Sequence, residues 1–196
     1  NSMSDVTHTL TPVSLIFGSG DSISYNVTRK SDRPDETFTI FDTSLQPGKY
    51  NGLYHTISLD TDSKRKINGS LSYTRGDFYA PGKRYEASID FLPKKELMFG
   101  LGYSNTSIKW NHAPETEVQV LNATSRINFN PDLSINNLLQ YDNFSKSLGV
   151  NSRLQWEYKP GAKFYFVVNQ SYLDEATGLS LQGLGMAVKL GGIFRF

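Results

Sequence analysis

Charged side chains recur at alternate positions of regular segments. Arg84, Glu86 and Asp90 fall within 84–91, Arg126 within 121–129, Arg153 and Glu157 within 148–158, and Lys189 and Arg195 within the final stretch MAVKLGGIFRF. On an extended backbone residues two apart share a face, so each set points one way. Two kinds of chemistry are open to such a face. A charged lining selects solutes by sign and hydrogen bonding, or opposite charges on neighbouring strands pair and fill an interior. Both signs are interleaved here, which favours the second.

Other reactive patterns are weaker. Asp60 and Asp62 with Glu115 and Glu117 could in principle serve as a hydrolase pair, but the sequence does not bring them together. His8, His55 and His112 lack metal-ligand spacing, and the absence of cysteine removes disulfides and thiolate metal sites. No nucleophile elbow or phosphate loop occurs, and GLGMAVKLGG reads as strand glycine on a smooth wall. The expectation is no catalytic residue, no metal and no cofactor. Asn-x-Ser/Thr triplets at Asn26, Asn68, Asn105, Asn122, Asn143 and Asn169 fit the composition of a polar strand face.

These residues need strands to position them, and the sequence supplies strands with period-two alternation. Tyr85, Ala87, Ile89 and Phe91 oppose Arg84, Glu86, Ser88 and Asp90, while Leu148, Val150, Leu154, Trp156 and Tyr158 oppose Gly149, Asn151, Arg153, Gln155 and Glu157. Further apolar faces comprise Ile67, Leu71 and Tyr73; Leu97, Phe99, Leu101 and Tyr103; Leu121, Ala123, Ile127 and Phe129; and Leu133, Ile135, Leu139 and Tyr141. Phe164, Phe166, Val168 and Tyr172 form another. The opposite faces are small or amide-bearing, suited to a crowded, wet interior and ill suited to a dry core.

Composition sets the environment. Across 196 residues the mean hydropathy is −0.41 and no apolar run approaches the ~20 residues of a membrane helix. A membrane barrel escapes that test, because only alternate residues meet lipid. Twenty basic and 19 acidic side chains nearly cancel, which argues against a nucleic-acid partner. Tight turns are expected near 62–65, 93–95, 130–132 and 159–161, and longer loops at 76–83, 105–115, 143–147 and 173–185. Such a rhythm matches an outer-membrane barrel. Val13–Phe17, Ser22–Lys30 and Glu36–Phe41 add weaker strands. The fold expected is all-β, an antiparallel transmembrane β-barrel of about 12 strands in a single domain over 1–196, or the C-terminal part of a larger barrel.

In a closed barrel the last strand pairs with the first, so ending on a strand is required. Phe194 and Phe196 then sit in an interfacial girdle and resemble the signal that outer-membrane proteins present to the barrel-assembly machinery. Tyr25, Tyr50, Tyr73, Tyr103, Tyr141, Trp156 and Tyr158 lie near strand ends as girdle anchors. Phe78 and Tyr79, beside Pro81 in an expected external loop, are the candidates for contact with a partner or glycan, set against a packed loop.

GDFYAPGKR (Gly76 to Arg84), LQYDNFSKSLGVNSRLQWEYKPGAKFYFVVNQ (Leu139 to Gln170) and GKYNGLYHTISL (Gly48 to Leu59) carry a resemblance to a known family. They resemble the C-terminal region of large bacterial envelope proteins in which a module similar to family 9 carbohydrate-binding domains precedes an outer-membrane barrel of unassigned function. The resemblance runs from about Leu10 to Phe196 and is most specific over Tyr141 to Gln170. It implies a bacterial outer-membrane location, with membrane lipid, the assembly machinery and other envelope proteins or further strands as partners. It transfers no catalytic residue. The carbohydrate-binding-like module is not in this sequence and the family barrels are longer, so a complete barrel and a C-terminal part both stay open. The function expected is a channel, a translocation conduit or an envelope anchor. The alternatives are a soluble ligand-binding barrel, with every face inverted, and an envelope hydrolase using loop carboxylates.

Overall fold

Backbone pairing between extended neighbours organises the chain. The computed structural model describes residues 5–192, so Phe194, Arg195 and Phe196 lie outside the described residues. The strands are β1 Asp5–Ile16, β2 Ser22–Asp32, β3 Phe38–Ile40, β4 Thr43–Leu45, β5 Tyr50–Asp60, β6 Ile67–Gly76 and β7 Gly82–Lys94. There follow β8 Leu97–Ile108, β9 Thr116–Asn130, β10 Leu133–Asp142, β11 Ser147–Lys159, β12 Ala162–Glu175 and β13 Gly178–Gly192. Eleven strands form one antiparallel sheet in the order β1-β2-β5-β6-β7-β8-β9-β10-β11-β12-β13, and β3 and β4 form a separate two-stranded sheet. The fold is all-β, as the alternation requires. Among the described residues no helix is long and apolar enough to cross a membrane, a test that does not bear on strands.

The chain divides into two compact units. The first comprises Asn1–Ser63, Gly69–Ala87 and Ser104–Val118, and the second Lys64–Asn68, Ser88–Tyr103 and Gln119–Phe196. In the first unit the register aligns side chains in rows across β1, β2, β5 and β6. Leu15, Ile23, Leu59 and Leu71 form one row and Val13, Tyr25, Ile57 and Tyr73 the next. The opposite face carries Ser14, Ser24, Ser58 and Ser72, then Asn26, Thr56 and Thr74. Hydroxyls and amides bond across this face, Thr56 to Thr74 at 2.9 Å and Thr11 to Asn26 Oδ1 at 2.6 Å. The apolar face is the open one. Leu53, Ile57 and Leu59 are 41%, 50% and 42% exposed, whereas Gly52 is buried and Tyr54, Thr56 and Ser58 are half-buried.

In the second unit register again aligns side chains in rows, on β9 to β13. Ile127, Ile135, Leu154, Phe166 and Val188 form an apolar row, flanked towards one end by Leu133, Trp156, Phe164 and Leu190. Towards the other end lie Leu121, Tyr141, Leu148, Tyr172 and Leu181. From Leu190 to the Leu181 row the strand rise of ~3.4 Å per residue gives roughly 27 Å along the strand. At the ~40° tilt of a membrane barrel this becomes about 20 Å of height, close to the ~25 Å apolar band such barrels carry. One row departs from the pattern. Ser125, Asn137 and Ser152 sit mid-face, and Asn137 Nδ2 donates to Ser125 Oγ at 3.0 Å so that part of their polarity is satisfied sideways.

Two expected elements come out differently. Glu36–Phe41 does not become a stave of the sheet, because β2 pairs directly with β5 along its whole length, from Ser22 opposite Asp60 to Asp32 opposite Tyr50. That edge is taken, and the chain reverses at Phe41 and Asp42, with φ of 45° and 60°, into the β3–β4 hairpin. Positive φ at both turn residues is the hairpin geometry whose twist matches the strands. The long loop expected at 173–185 is almost entirely strand. β12 and β13 are joined through Ala176 and Thr177, with Glu175 opposite Gly178. The tight turn at 159–161 is as expected: Pro160 and Gly161 lie between paired Lys159 and Ala162, with Gly161 at φ 77°.

Gly52 shows why the polar face must be small. A Cβ there would overlap the Phe78 backbone, because the β6–β7 loop folds down over β5. Gly52→Val is expected to cost about 1–3 kcal/mol of folding stability through overpacking, read as a lower urea midpoint for the compact gel band. Ser24→Ala, on the same face, should move the midpoint little.

Candidate functional site: the polar face

The expected lining residues fall into two groups. In the first unit Arg84 and Glu86, two apart on β7, form an ion pair at 2.7 Å. Ser72 Oγ donates to the second Glu86 oxygen at 3.2 Å. Both side chains are about half exposed (49% and 45%), so the pair is worth little stability and serves mainly to fix two charges on the wall. They border a cavity of about 340 Å³ lined also by Ile40, Tyr54, Thr74, Tyr79, Thr106, Ile108 and Trp110. Trp110 is held by its Nε1–H donating to Thr116 Oγ1 at 2.9 Å.

Aromatic packing builds the floor of that region. Phe78 and Tyr79 have ring centroids 4.1 Å apart, Tyr79 lies 5.1 Å from Tyr50 and 5.3 Å from Phe38, and Tyr54 lies 6.4 Å from Phe78. Tyr79 Oη donates to Asp32 Oδ2 at 2.8 Å, and Lys30 Nζ sits 5.2 Å over the Phe78 ring. Phe78 is only 6% exposed. It is therefore a packing anchor that ties the β6–β7 loop to β5, and its ring is not presented to a partner. Tyr79 is half-buried and faces the cavity. Sequence alternation could not locate this cluster, because the loop that carries Phe78 has no period.

In the second unit Asp90 approaches Gly100 and Thr124 on the polar face, where a Cβ on Gly100 would lie 2.5 Å from oxygens of both. Glu157 is engaged: Lys163 Nζ lies at 3.3 Å and the Gly161 N–H donates to it at 2.9 Å. Arg126, Arg153 and Lys189 are different. Register places Arg126, Asn136 and Arg153 in one row, and Asn128, Ser134, Gln155, Tyr165 and Lys189 in the next. Every other side chain in these two rows is neutral. Arg126 Nε donates only to Asn136 Oδ1, at 3.4 Å, and among the described residues none of the three cations forms an ion pair. All three are exposed. Glu157 and Lys163 thus pair across neighbouring strands, Arg84 and Glu86 pair within β7, and the two rows that carry Arg126, Arg153 and Lys189 contain no acid, with Asp90 beside Thr124 one step away.

The carboxylates considered for hydrolysis do not meet. Asp60 and Asp62 lie at and after the C-terminal end of β5, while Glu115 and Glu117 lie at the start of β9, and the antiparallel order puts these at opposite ends of the strands. Glu117 accepts from Asn105 Nδ2 at 2.7 Å, and Glu115 accepts from Ser107 Oγ. Among the described residues no group of His, Cys, Asp or Glu could hold a metal ion.

Phe78→Ala is expected to destabilise the chain by about 3–5 kcal/mol, measured by urea unfolding. A residue held out for partner contact would cost under about 0.5 kcal/mol.

The chain matches no family model and no curated protein. Among solved structures, it is similar over 98% of its length to a KdgM porin solved in complex with disordered oligogalacturonate, at 14% identity, with 99% of that chain covered and a TM-score of 0.42. It is also similar over 97% of its length to a NanC porin, at 11% identity, with 100% of that chain covered and a TM-score of 0.44.

Proposed function

We propose that this chain is an outer-membrane β-barrel, or the C-terminal part of one, that conducts small polar solutes with a preference for anions. The observation that carries the reading is the orientation of the two faces. Along β5 the apolar residues Leu53, Ile57 and Leu59 are open while their polar neighbours are covered, and Phe99, Leu101 and Tyr103 alternate in the same sense with Gly100 and Gly102 on β8. An apolar face of this extent left in water would be an aggregation liability. Facing lipid it is the expected surface, and on this reading the two outer strands of the sheet order, β1 and β13, must be paired as well, to each other or to further strands, because no backbone polar group can stay open in hydrocarbon.

A soluble ligand-binding barrel needs the inverse arrangement, and these exposures run against it. A loop hydrolase needs carboxylates at one end, and the four considered are split between two. The outer-membrane location and the assembly machinery as a folding partner belong to this proposal, and the resemblance to the barrel of the large envelope proteins is compatible with it. The anion preference rests on Arg126, Arg153 and Lys189, which face the lumen on this reading. A single-signed lining concentrates the opposite ion and raises its passage.

The test is the reversal potential of the reconstituted protein in a planar bilayer under a potassium chloride gradient. Wild type is expected to prefer chloride, and the Arg126→Gln, Arg153→Gln, Lys189→Gln triple variant to lose at least about three-fold of that preference while still conducting. A wild type that prefers potassium, or a triple variant with unchanged reversal potential, would sink the selectivity claim. A folded, membrane-inserted protein that never conducts would leave anchoring as the function.

A further inference from the structure

The apolar face of the first unit becomes mixed with basic side chains towards its long-loop side. Past the row of Val13, Tyr25, Ile57 and Tyr73, the next row on the same face reads Leu10, Val27, His55 and Arg75, and the one after it His8, Arg29 and Leu53. His8, Arg29, His55 and Arg75 are all exposed. Arg29 and Arg75 stand two strands and one step apart, roughly 12 Å between backbones from the strand spacing and rise, so two long side chains can converge on one group. Among the described residues neither forms an ion pair. Asp77, the neighbouring carboxylate, accepts the Leu53 N–H at 2.9 Å. Glu115 and Glu117 belong to the β8–β9 side, where Ser107 and Asn105 hold them.

Beside and beneath these cations lie two pairs of aromatic rings. Tyr25 and His55 are stacked at 6.1 Å and share a hydrogen bond between Tyr25 Oη and His55 Nδ1 at 2.7 Å, which fixes the imidazole against the strand. Tyr73 and Tyr85 lie 4.9 Å apart, and Tyr85 is 48% exposed. Apolar residues, then tyrosines, then unpaired cations follow the order of a bilayer leaflet from tails through glycerol level to headgroups.

We propose that this patch binds the phosphate-bearing headgroup of an anionic lipid, with Arg29 and Arg75 as the charged clamp, His8 and His55 at its sides, and the tyrosine row against the upper part of the acyl chains. Arginine is suited to this task because its planar fork donates two hydrogen bonds to one phosphate. A lipid headgroup is favoured over free phosphate because the cations sit at the upper margin of the apolar band and on its face, where an ion dissolved in water gains nothing from the tyrosines. This site rests on the membrane reading above.

The test uses protein refolded in dodecyl maltoside micelles and native mass spectrometry. The probes are equal amounts of dimyristoyl phosphatidic acid and dimyristoyl phosphatidylcholine, with and without inorganic phosphate. Wild type and the Arg126→Gln, Arg153→Gln variant should retain phosphatidic acid at least about five-fold over phosphatidylcholine, and Arg29→Gln, Arg75→Gln should lose that preference. The inference is overturned if the preference survives in the Arg29, Arg75 variant, or is lost equally in the Arg126, Arg153 variant. It is also overturned if inorganic phosphate abolishes it, since the patch would then be a free-anion site. Protein that holds both lipids equally in micelles defeats this site alone, whereas protein that stays dispersed without detergent and retains neither lipid defeats the membrane reading.

Discussion

Backbone hydrogen bonding commits every strand of the sheet to sending successive side chains to opposite faces, and that two-residue period is what all else in this chain depends on. Once β2 is paired to β5 from Ser22–Asp60 to Asp32–Tyr50, Ile57 must share a face with Tyr25 and Tyr73, and Thr56 must face the other way with Asn26 and Thr74. A slip of one residue would exchange the faces entirely. The small residues of the polar face are the other half of the same constraint. Gly52 admits the Phe78 backbone, Gly76 admits the Tyr54 ring, and Gly102 admits the Asn122 amide, with Asn122 Oδ1 placed 2.5 Å from where a Cβ would be.

Charge follows from register as much as from composition. A near-neutral chain can still present rows of one sign where nearby acids are engaged elsewhere, and three acids here are so engaged. Glu86 is held by Arg84 and Ser72, Glu157 by Lys163 and the Gly161 amide, and Asp32 by Tyr79. Two sets of cations that form no ion pair among the described residues lie on different surfaces. Arg126, Arg153 and Lys189 stand on the polar face of the second unit, and Arg29 and Arg75 on the apolar side of the first, above the tyrosines. On the proposed function the first group bears on what passes, and on the further inference the second bears on which lipid the protein holds.

The faces themselves were legible in the sequence, because alternation in segments such as 84–91 and 148–158 is strong enough to fix parity without knowing the partner strand. What was not legible depended on partners. Arg126 and Arg153 look like scattered charges until Asn136 on β10 brings them into one row. Phe38, Ile40 and Phe41 have the composition of a stave, and only the full pairing of β2 with β5 excludes them from the sheet. Phe78 reads as an exposed loop aromatic because the room made for it at Gly52 lies more than one strand away in sequence. The stretch 173–185, with glycine at 178, 183 and 185 and two acids at 174 and 175, resembles a loop until β11 and β13 are seen to pair with both sides of β12.

Each unit holds one of the chain's two tryptophans: Trp156 lies in the second unit's apolar row with Leu133, Phe164 and Leu190, 48% exposed, and Trp110 at the first unit's cavity with Tyr54 and Arg84. The most direct measurement is tryptophan fluorescence of the protein in bilayers of brominated phosphatidylcholine, using Trp110→Phe and Trp156→Phe to isolate each ring. The account predicts strong quenching of Trp156 by brominated lipid and little quenching of Trp110. Quenching of Trp110 with Trp156 untouched, or no quenching of either in a folded protein, would contradict a lipid-facing apolar surface.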